Sequence, residues 1–225
     1  MNPSPTLRPF SDHIWTIDHP LSLMGAQVGT RCTVVRLPSS SLALISPVPI
    51  DDDLQEAIDA LGEVSTIIAP NLFHHLFFDD ALKRWPQAMG MAPPGFRDKV
   101  DVHREITDMG DRGTIEDALH WQRVQGMPAM RESVFVHPRD ETLIATDLLF
   151  HFVDHPQWWL RQFMRLNGAY GRLACSRIFR SMIKDKEAFR DSLQPLFEHP
   201  WDRLIMAHGQ CIDGDARQAV EYVLK

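Results

Sequence analysis

Residues 64–75 read Val64-Ser65-Thr66-Ile67-Ile68-Ala69-Pro70-Asn71-Leu72-Phe73-His74-His75 and join a strand pattern to a polar loop. The first six are mostly apolar and β-branched, with Gly62 before them and Pro70 after them, which is typical of a buried strand. An amphipathic helix is expected after the two histidines, towards Trp85. In α/β proteins, polar residues on a loop at the carboxyl end of a buried strand are a common place for ligands. We therefore expect the functional site at this loop.

Two further polar residues follow buried strand patterns later in the chain. Asp147 ends the apolar run 143–146, and His208 ends the run 204–207. If these strand ends share one rim with His74 and His75, imidazoles and a carboxylate converge, which suits Zn or Fe better than Ca or Mg. From the residues alone, the alternative also stays open that the histidines are solvated and that Asp147 caps a helix or forms a turn.

The composition excludes several classes of protein. The chain has 225 residues, 44% of them hydrophobic, and a formal net charge of −7. This charge argues against a general nucleic-acid binder or a binder of anionic membranes. Three widely spaced cysteines form no CxxC pair, and residues 1–6 are short and polar with no apolar segment behind them. We expect a cytoplasmic protein without a signal peptide or a membrane span.

Periodicity predicts the remaining elements. Strands are expected at 13–18, 33–37, 42–46, 88–92, 133–136, 142–146 and 203–207, with 33–37 and 42–46 forming a hairpin. Helices are expected at 51–61, 156–166, 175–183, 187–197 and, after an Asp213 cap, up to Leu224. Residues 21–29 and 98–113 are predicted to be loops. Residues 115–124 fit either a strand pair or a helix followed by a strand.

The first half of the chain is rich in strands and the second in helices, with both kinds of element in each half. This pattern favours two sheets covered by helices in one domain over residues 1–225, with residues 1–7 flexible. In the segment 156–166, Trp159, Leu160, Phe163 and Leu166 are predicted to share one buried face. Trp158 and Trp159 could instead line a pocket mouth or form a homodimer surface.

Several motifs carry a resemblance to a known superfamily. They are residues 67–78, Phe135-Val136-His137-Pro138, Thr142 to Asp147, and Ala207-His208-Gly209. In order and spacing they resemble the motifs of metallo-β-lactamase-fold proteins. More narrowly, residues 33–37, Ser46-Pro47-Val48, 69–77, Trp85-Pro86 and Ala92-Pro93-Pro94-Gly95 resemble the DUF4336 branch. The resemblance implies an α/β (α+β) fold, a four-layer αββα sandwich of the metallo-β-lactamase type.

The resemblance also implies a degenerate metal site. Metal-loaded members carry H-x-H-x-D-H after the strand, and here those His, His, Asp and His positions hold Pro70, Leu72, His74 and His75. The histidine of the third motif falls at Met127, and an early aspartate that supports the site falls near Ser46. The first metal site of the family is therefore lost.

At the positions of the family's second metal site, this sequence keeps side chains that can bind a metal. These positions hold His74, His75, Asp147 and His208, all of which can coordinate a metal. One Zn or Fe ion is therefore the expected cofactor. We expect Asn71, His151 and Met127 to line the pocket.

Two functions follow from the resemblance. The first is a hydrolase-like enzyme with at most one metal, acting on a small molecule, with Asp147 and His74 as catalytic candidates. If all four candidates bind the metal, little room remains for water in a tetrahedral site. The second is a non-catalytic, metal-free member of the fold that binds a small molecule or a protein.

Overall fold

A computed structural model describes residues 6–224. Along its central strands, successive side chains pack into different cores. Ile68 lies in the core between two sheets, and its neighbour Ile67 lies in a core on the outer face of the same sheet. Phe135 and Val136 divide in the same way in the second sheet. Because successive strand residues point to opposite faces, strands that are apolar at nearly every position require a cover on both sides.

The described residues form two large sheets and one small hairpin. The first sheet has the order β1 (Leu7–Pro9), β2 (Ile14–His19), β5 (Thr30–Arg36), β6 (Leu42–Ile45), β7 (Val64–Ile68), β8 (Met89–Ala92) and β9 (Thr107–Asp108). The second has the order β10 (Arg112–Ile115), β11 (Leu119–Arg123), β12 (Ser133–His137), β13 (Thr142–Ile144), β14 (Arg203–Ile205) and β15 (Ile212–Asp213). The hairpin consists of β3 (Ser22–Leu23) and β4 (Ala26–Gln27).

The described residues contain six helices, four of which pack on the outer faces of the two sheets. The six are α1 (Asp52–Asp59), α2 (Phe78–Arg84), α3 (Trp158–Leu166), α4 (Arg177–Ser181), α5 (Lys186–Leu193) and α6 (Ala216–Leu224), with 3-10 turns at Pro138–Asp140 and Gln194–Glu198. Apolar residues of α1 and α2 pack on the first sheet, and those of α5 and α6 pack on the second. The order of layers is helix, sheet, sheet, helix, which confirms the predicted α/β (α+β) sandwich.

Most predicted elements are present. The hairpin β5–β6 pairs Arg36 with Leu42, and the Asp51 carboxylate accepts a hydrogen bond of 2.9 Å from Leu54 N at the start of α1. The undecided segment 115–124 contributes to the antiparallel pair β10–β11. The segments 21–29 and 98–113, predicted to be loops, contain the hairpin β3–β4 and the strand β9. Strands of two residues are too short to produce a visible alternation.

Two local predictions were wrong. Asp213 lies in β15 and pairs with Arg203, while the Asp202 carboxylate accepts from Asp215 N at 2.8 Å and lies 3.4 Å from Arg217 N at the start of α6. In α3, Leu160 is buried as predicted and so is Met164, whereas Trp159, Phe163 and Leu166, which were predicted to be buried, stay 45%, 42% and 73% exposed. Leu160 and Met164 have the same helical spacing as Trp159 and Phe163, and spacing alone does not say which pair faces the core.

The first strand begins within the segment that was predicted to be flexible. Of the segment 1–7, predicted to be flexible, residues 1–5 lie outside the described residues, and Leu7 pairs with Ile17 in the first sheet.

Within residues 6–224, no helix has both the length and the apolar character needed to span a bilayer.

A polar cluster ties the two sheets together near the start of β13. The Asp140 carboxylate accepts hydrogen bonds from Ser11 Oγ (2.5 Å), His13 N (2.8 Å) and His13 Nδ1 (2.8 Å), all from the opposite sheet layer. Burial alone would raise the pKa of Asp140, but these donors offset it and leave the pKa below the ordinary value of 3.8.

Asp140→Asn is expected to lower the free energy of unfolding by about 2 kcal/mol at pH 7, because hydrogen bonds to a charged, buried acceptor are lost. A carboxyl with a lowered folded-state pKa stabilises above its unfolded pKa and loses this contribution as pH falls through the folded value. The difference between wild type and variant should therefore shrink below pH 3.8. Urea unfolding at pH 7 and pH 3 measures it, and a difference that stays constant between the two would contradict the account.

Candidate metal centre

His74, Asp147 and His208 meet at one rim of the sandwich. Asp147 Oδ2 is 3.3 Å from His74 Nε2, and Asp147 Oδ1 is 3.3 Å from His208 Nε2. One ligand atom from each residue lies within 4.8 Å of the others. The parallel strands β13 and β14 bring Asp147 and His208 to the same edge, and the loop after β7 brings His74 from the other sheet. We call these three residues the His-Asp-His group.

The second nitrogen of each imidazole already has a partner. His208 Nδ1 donates to the carbonyl of Gly29 over 2.8 Å, and His74 Nδ1 is 2.7 Å from Ser46 Oγ. A carbonyl can only accept, so the proton of a neutral His208 sits on Nδ1 and Nε2 presents a lone pair towards Asp147. Such partners orient metal-binding histidines in known proteins.

The buried side chain of Asn71 hydrogen-bonds to Asp147 and to the loop that carries His74. The Asn71 amide donates to Asp147 Oδ2 (2.8 Å) and to Thr146 Oγ1 (3.1 Å), while its oxygen accepts from the backbone N–H groups of Phe73 and His74 (2.8 Å each). Asn71 therefore links the position of His74 to that of Asp147.

A second carboxylate, Glu132, holds the backbone beneath the group. It accepts from Thr146 N (2.8 Å), Thr146 Oγ1 (3.0 Å) and Asp147 N (3.1 Å) and is 1% exposed. Burial, and then the negative charge of Asp147, raise the pKa of Glu132 to about 7. Burial would also raise the pKa of Asp147, but His74 and His208 outweigh it and lower that pKa. The pKa of Asp147 therefore lies below that of Glu132, so Asp147 is the more readily ionised of the two carboxyl groups.

The group lies between two cavities. The first, of about 240 Å³, is lined by Leu21, Leu23, Thr30, Pro47, Phe73, His74, His75, Leu76, Phe77, Asp147 and His208. The second, of about 190 Å³, shares Leu23, Asp147 and His208 with the first. Leu23 belongs to the hairpin β3–β4, which therefore lies over the group. A small molecule in either cavity would touch Asp147 and His208.

His75 is the predicted ligand that does not join the group. Its Nδ1 is 3.1 Å from the carbonyl of Leu72, and its ring packs edge-on against Phe96. Adjacent residues on a turn place their side chains in different directions, so only His74 faces Asp147. His75 still lines the first cavity, where burial lowers its pKa and favours the neutral imidazole. If these three residues hold a metal, a fourth tetrahedral position stays open, whereas four ligands were predicted.

None of the three residues predicted to line the pocket lines either of these two cavities. Asn71 is fully buried behind Asp147 and lines neither cavity. His151 Nδ1 is 3.1 Å from the carbonyl of Gln210, and the residue bridges to Gly209. Met127 belongs to the core under the second sheet and lines a separate cavity with Pro94 and Arg131.

Apolar packing occupies the positions of the lost first site. Pro70, Leu72 and Met127 are all buried. Their segments join through backbone hydrogen bonds from Leu72 N to the Met130 carbonyl (3.1 Å) and from Ser133 N to the Pro70 carbonyl (2.8 Å). None of the three side chains suits a zinc ion, so a dinuclear centre has no ligands here.

Sequence reasoning missed several residues that shape this site. The carbonyl of Gly29 and the side chain of Leu23 lie in a segment that was read as a loop. Glu132 accepts hydrogen bonds from the backbone N–H groups of Thr146 and Asp147. The one sequence feature that could have pointed to Glu132 is a carboxylate directly before the apolar run 133–136.

Solved structures share this architecture at low sequence identity. A metallo-β-lactamase from Pontibacter korlensis matches with a TM-score of 0.65 and 13% identity, over 98% of this chain and 99% of that chain. DIM-1 metallo-β-lactamase matches with a TM-score of 0.69 and 12% identity, over 99% and 97%. The flavodiiron core of Flv1 from Synechocystis sp. PCC6803 matches with a TM-score of 0.64 and 14% identity, over 97% of this chain and 60% of that chain. No curated protein matches the sequence.

The layers, strand order and rim site define a metallo-β-lactamase-fold protein, and these matches establish that fold for the chain. The sequence model of DUF4336, a domain of unknown function, matches residues 11–96. The matched part contains Ser46, Asn71 and His74 but ends before Asp147 and His208. The resemblance inferred from the motifs is therefore confirmed, and the fold alone leaves the reaction open.

Proposed function

We propose that the protein is a hydrolase with one metal ion, Zn or Fe, held by His74, Asp147 and His208. The observation that carries this proposal is the pairing of His208. Because its Nδ1 donates to the Gly29 carbonyl, a neutral His208 turns a lone pair towards Asp147 Oδ1, 3.3 Å away. Two acceptors facing each other call for a cation between them.

The distances suit a metal ion in this place. Two ligand atoms bound at ~2.0–2.1 Å to one tetrahedral Zn lie about 3.3 Å apart. The observed separations of 3.3 Å, one to each oxygen of Asp147, are close to this value and exceed the ~2.7–2.9 Å of a short charge-assisted hydrogen bond, and the three candidate ligand atoms lie within 4.8 Å of one another. Two imidazoles and one carboxylate also suit iron. The donor set therefore fits a single divalent metal.

A bound metal of this kind lowers the pKa of a water molecule and polarises a carbonyl or phosphoryl oxygen. The chain's own residues supply the rest of the site. Asn71 and Glu132 fix Asp147, and Ser46 and the Gly29 carbonyl fix the two imidazoles. With His74 and Asp147 as ligands, neither remains free as the catalytic base. His75 lines the same cavity, and because its Nδ1 faces the Leu72 carbonyl, its Nε2 can accept a proton.

Elemental analysis of protein purified without an affinity tag, before and after reconstitution with Zn²⁺ or Fe²⁺, tests the proposal. Wild type should retain about one ion per chain. Asp147→Asn and His208→Ala should lose it, because each removes one of three ligands. His75→Ala is the matched control: it should keep the metal and lose hydrolytic activity, since His75 lies outside the His-Asp-His group.

Equal metal content in wild type and His208→Ala would contradict the ligand assignment. Absence of metal after reconstitution would favour the alternative, a metal-free binding module of the same fold. In that state a protonated His208 would replace the metal as the cation beside Asp147. Loss of activity in His75→Ala together with loss of metal would show that His75 is a ligand after all.

A further inference from the structure

The second cavity is almost entirely apolar. Its wall contains four phenylalanines and two large aliphatic side chains: Phe150, Phe152, Phe163, Phe179, Met164 and Ile178. Phe163 and Ile178 are 42% and 41% exposed there. Large apolar side chains that stay exposed around a concave surface mark a site for an apolar ligand.

The polar residues of this wall are engaged within the protein. The Asn167 amide donates to the Phe163 carbonyl over 2.9 Å, and Ser176 Oγ accepts from Phe179 N over 3.3 Å, at the ends of α3 and α4. No lysine or arginine from the described residues lines either cavity, and Asp147 is the one carboxylate that does. A phosphate or a carboxylate would find no lysine or arginine in the lining, where the imidazoles of His74, His75 and His208 are the groups that can become cationic. The lining therefore selects a neutral ligand.

The two cavities share part of their lining and have similar chemistry. Leu23, Asp147 and His208 line both, so a ligand that fills both passes the His-Asp-His group beneath the hairpin β3–β4. The first cavity is also largely apolar, with Leu21, Phe73, Leu76 and Phe77 in its wall. Together the cavities reach the ~300–1,000 Å³ that is usual for small-molecule sites.

We infer that the ligand is an uncharged ester or amide with apolar substituents on both sides, one in each cavity, and that its longer chain lies against Phe163 and Ile178. This inference rests on the proposed function for the reaction. Water adds to the carbonyl carbon, the C–O or C–N bond breaks, and the leaving oxygen or nitrogen takes the proton. The products are a carboxylic acid and an alcohol or amine.

Ligand binding can be measured without metal or turnover. Metal-free protein is titrated calorimetrically with 1-decanol, 1-butanol and decyl phosphate. We expect 1-decanol to bind at least ten-fold more tightly than 1-butanol, and decyl phosphate to bind no more tightly than 1-decanol. Phe163→Glu and Ile178→Glu should each weaken the binding of 1-decanol at least ten-fold, because they place a charge in the apolar wall.

Trp158→Glu is the matched control, since Trp158 lies on the same helix, is 66% exposed and lines neither cavity. Circular dichroism verifies that all three variants fold. Equal weakening by Trp158→Glu, no binding of 1-decanol, or a clear preference for decyl phosphate would overturn the inference.

Hydrolysis of p-nitrophenyl esters with acyl chains of 2 to 10 carbons by the zinc-loaded protein separates the two proposals. Decanol binding without any ester hydrolysis would overturn the hydrolase proposal alone. Hydrolysis with no dependence on chain length, and no decanol binding, would overturn the ligand inference alone.

Discussion

Glu132→Ala is expected to lower the free energy of unfolding by about 4 kcal/mol. Glu132 is 1% exposed and accepts three hydrogen bonds, from Thr146 N, Thr146 Oγ1 and Asp147 N. Alanine leaves these donors buried without partners, at a cost of ~1–3 kcal/mol each where no water can enter, and it opens a cavity. Urea unfolding at pH 7 measures the change.

The same substitution should weaken metal binding ten-fold or more, because the backbone of Asp147 loses the acceptor that positions it. Glu63→Ala, which removes an exposed glutamate, is the control and should change stability by less than ~0.5 kcal/mol. Glu132→Gln keeps the volume but replaces one acceptor by an amide N–H donor, so it should fall between wild type and Glu132→Ala. A loss below 1 kcal/mol for Glu132→Ala would show that water or local rearrangement satisfies the released donors.

Gly209→Ala should destabilise the fold by about 3 kcal/mol and remove the metal site with it. Gly209 has a φ of +89°, and a Cβ there would lie 2.3 Å from the carbonyl oxygen of His151 and 2.6 Å from its carbonyl carbon. Both obstacles are backbone atoms, so either the chain at 151 or the chain at 208–210 must move. His208 directly precedes this position and would move with it.

Gly171→Ala separates the steric clash from the strain of a positive φ. Gly171 has a φ of +72°, and a Cβ there would meet nothing within 4 Å. Its substitution should cost only the ~1–2 kcal/mol of an alanine in the left-handed region and should leave metal binding unchanged. Unfolding curves and metal content of both variants provide the comparison. An equal effect of the two substitutions would mean that the contact with His151 is relieved at no cost.

Local chemistry made the strands and the rim predictable. Apolar residues at nearly every position of 64–69, 143–146 and 204–207 indicate strands covered on both faces, and each run ends in a polar segment. Parallel neighbours place such ends at one edge, and the structure brings together His74, Asp147 and His208 there. The motif resemblance placed these residues within one fold.

Contacts between distant segments were beyond that reasoning. Whether His74 or His75 reaches Asp147 depends on the turn that Asn71 caps, and the partner of His208 is a carbonyl 179 residues earlier in the chain. The apolar wall of the second cavity depends on which face of α3 meets the core. The pair Leu160 and Met164 and the pair Trp159 and Phe163 have the same helical spacing, so spacing does not decide which pair is buried.

Periodicity in the amino-acid sequence determined the strand runs and the rim on which the candidate site lies, whereas the layered fold and the loss of the first metal site were implied by the motif resemblance. Only the tertiary structure decided that three ligands meet rather than four, and that an apolar cavity adjoins them. The physical reason is that side-chain direction at a turn and the facing of a helix are set by packing against residues far away in the chain.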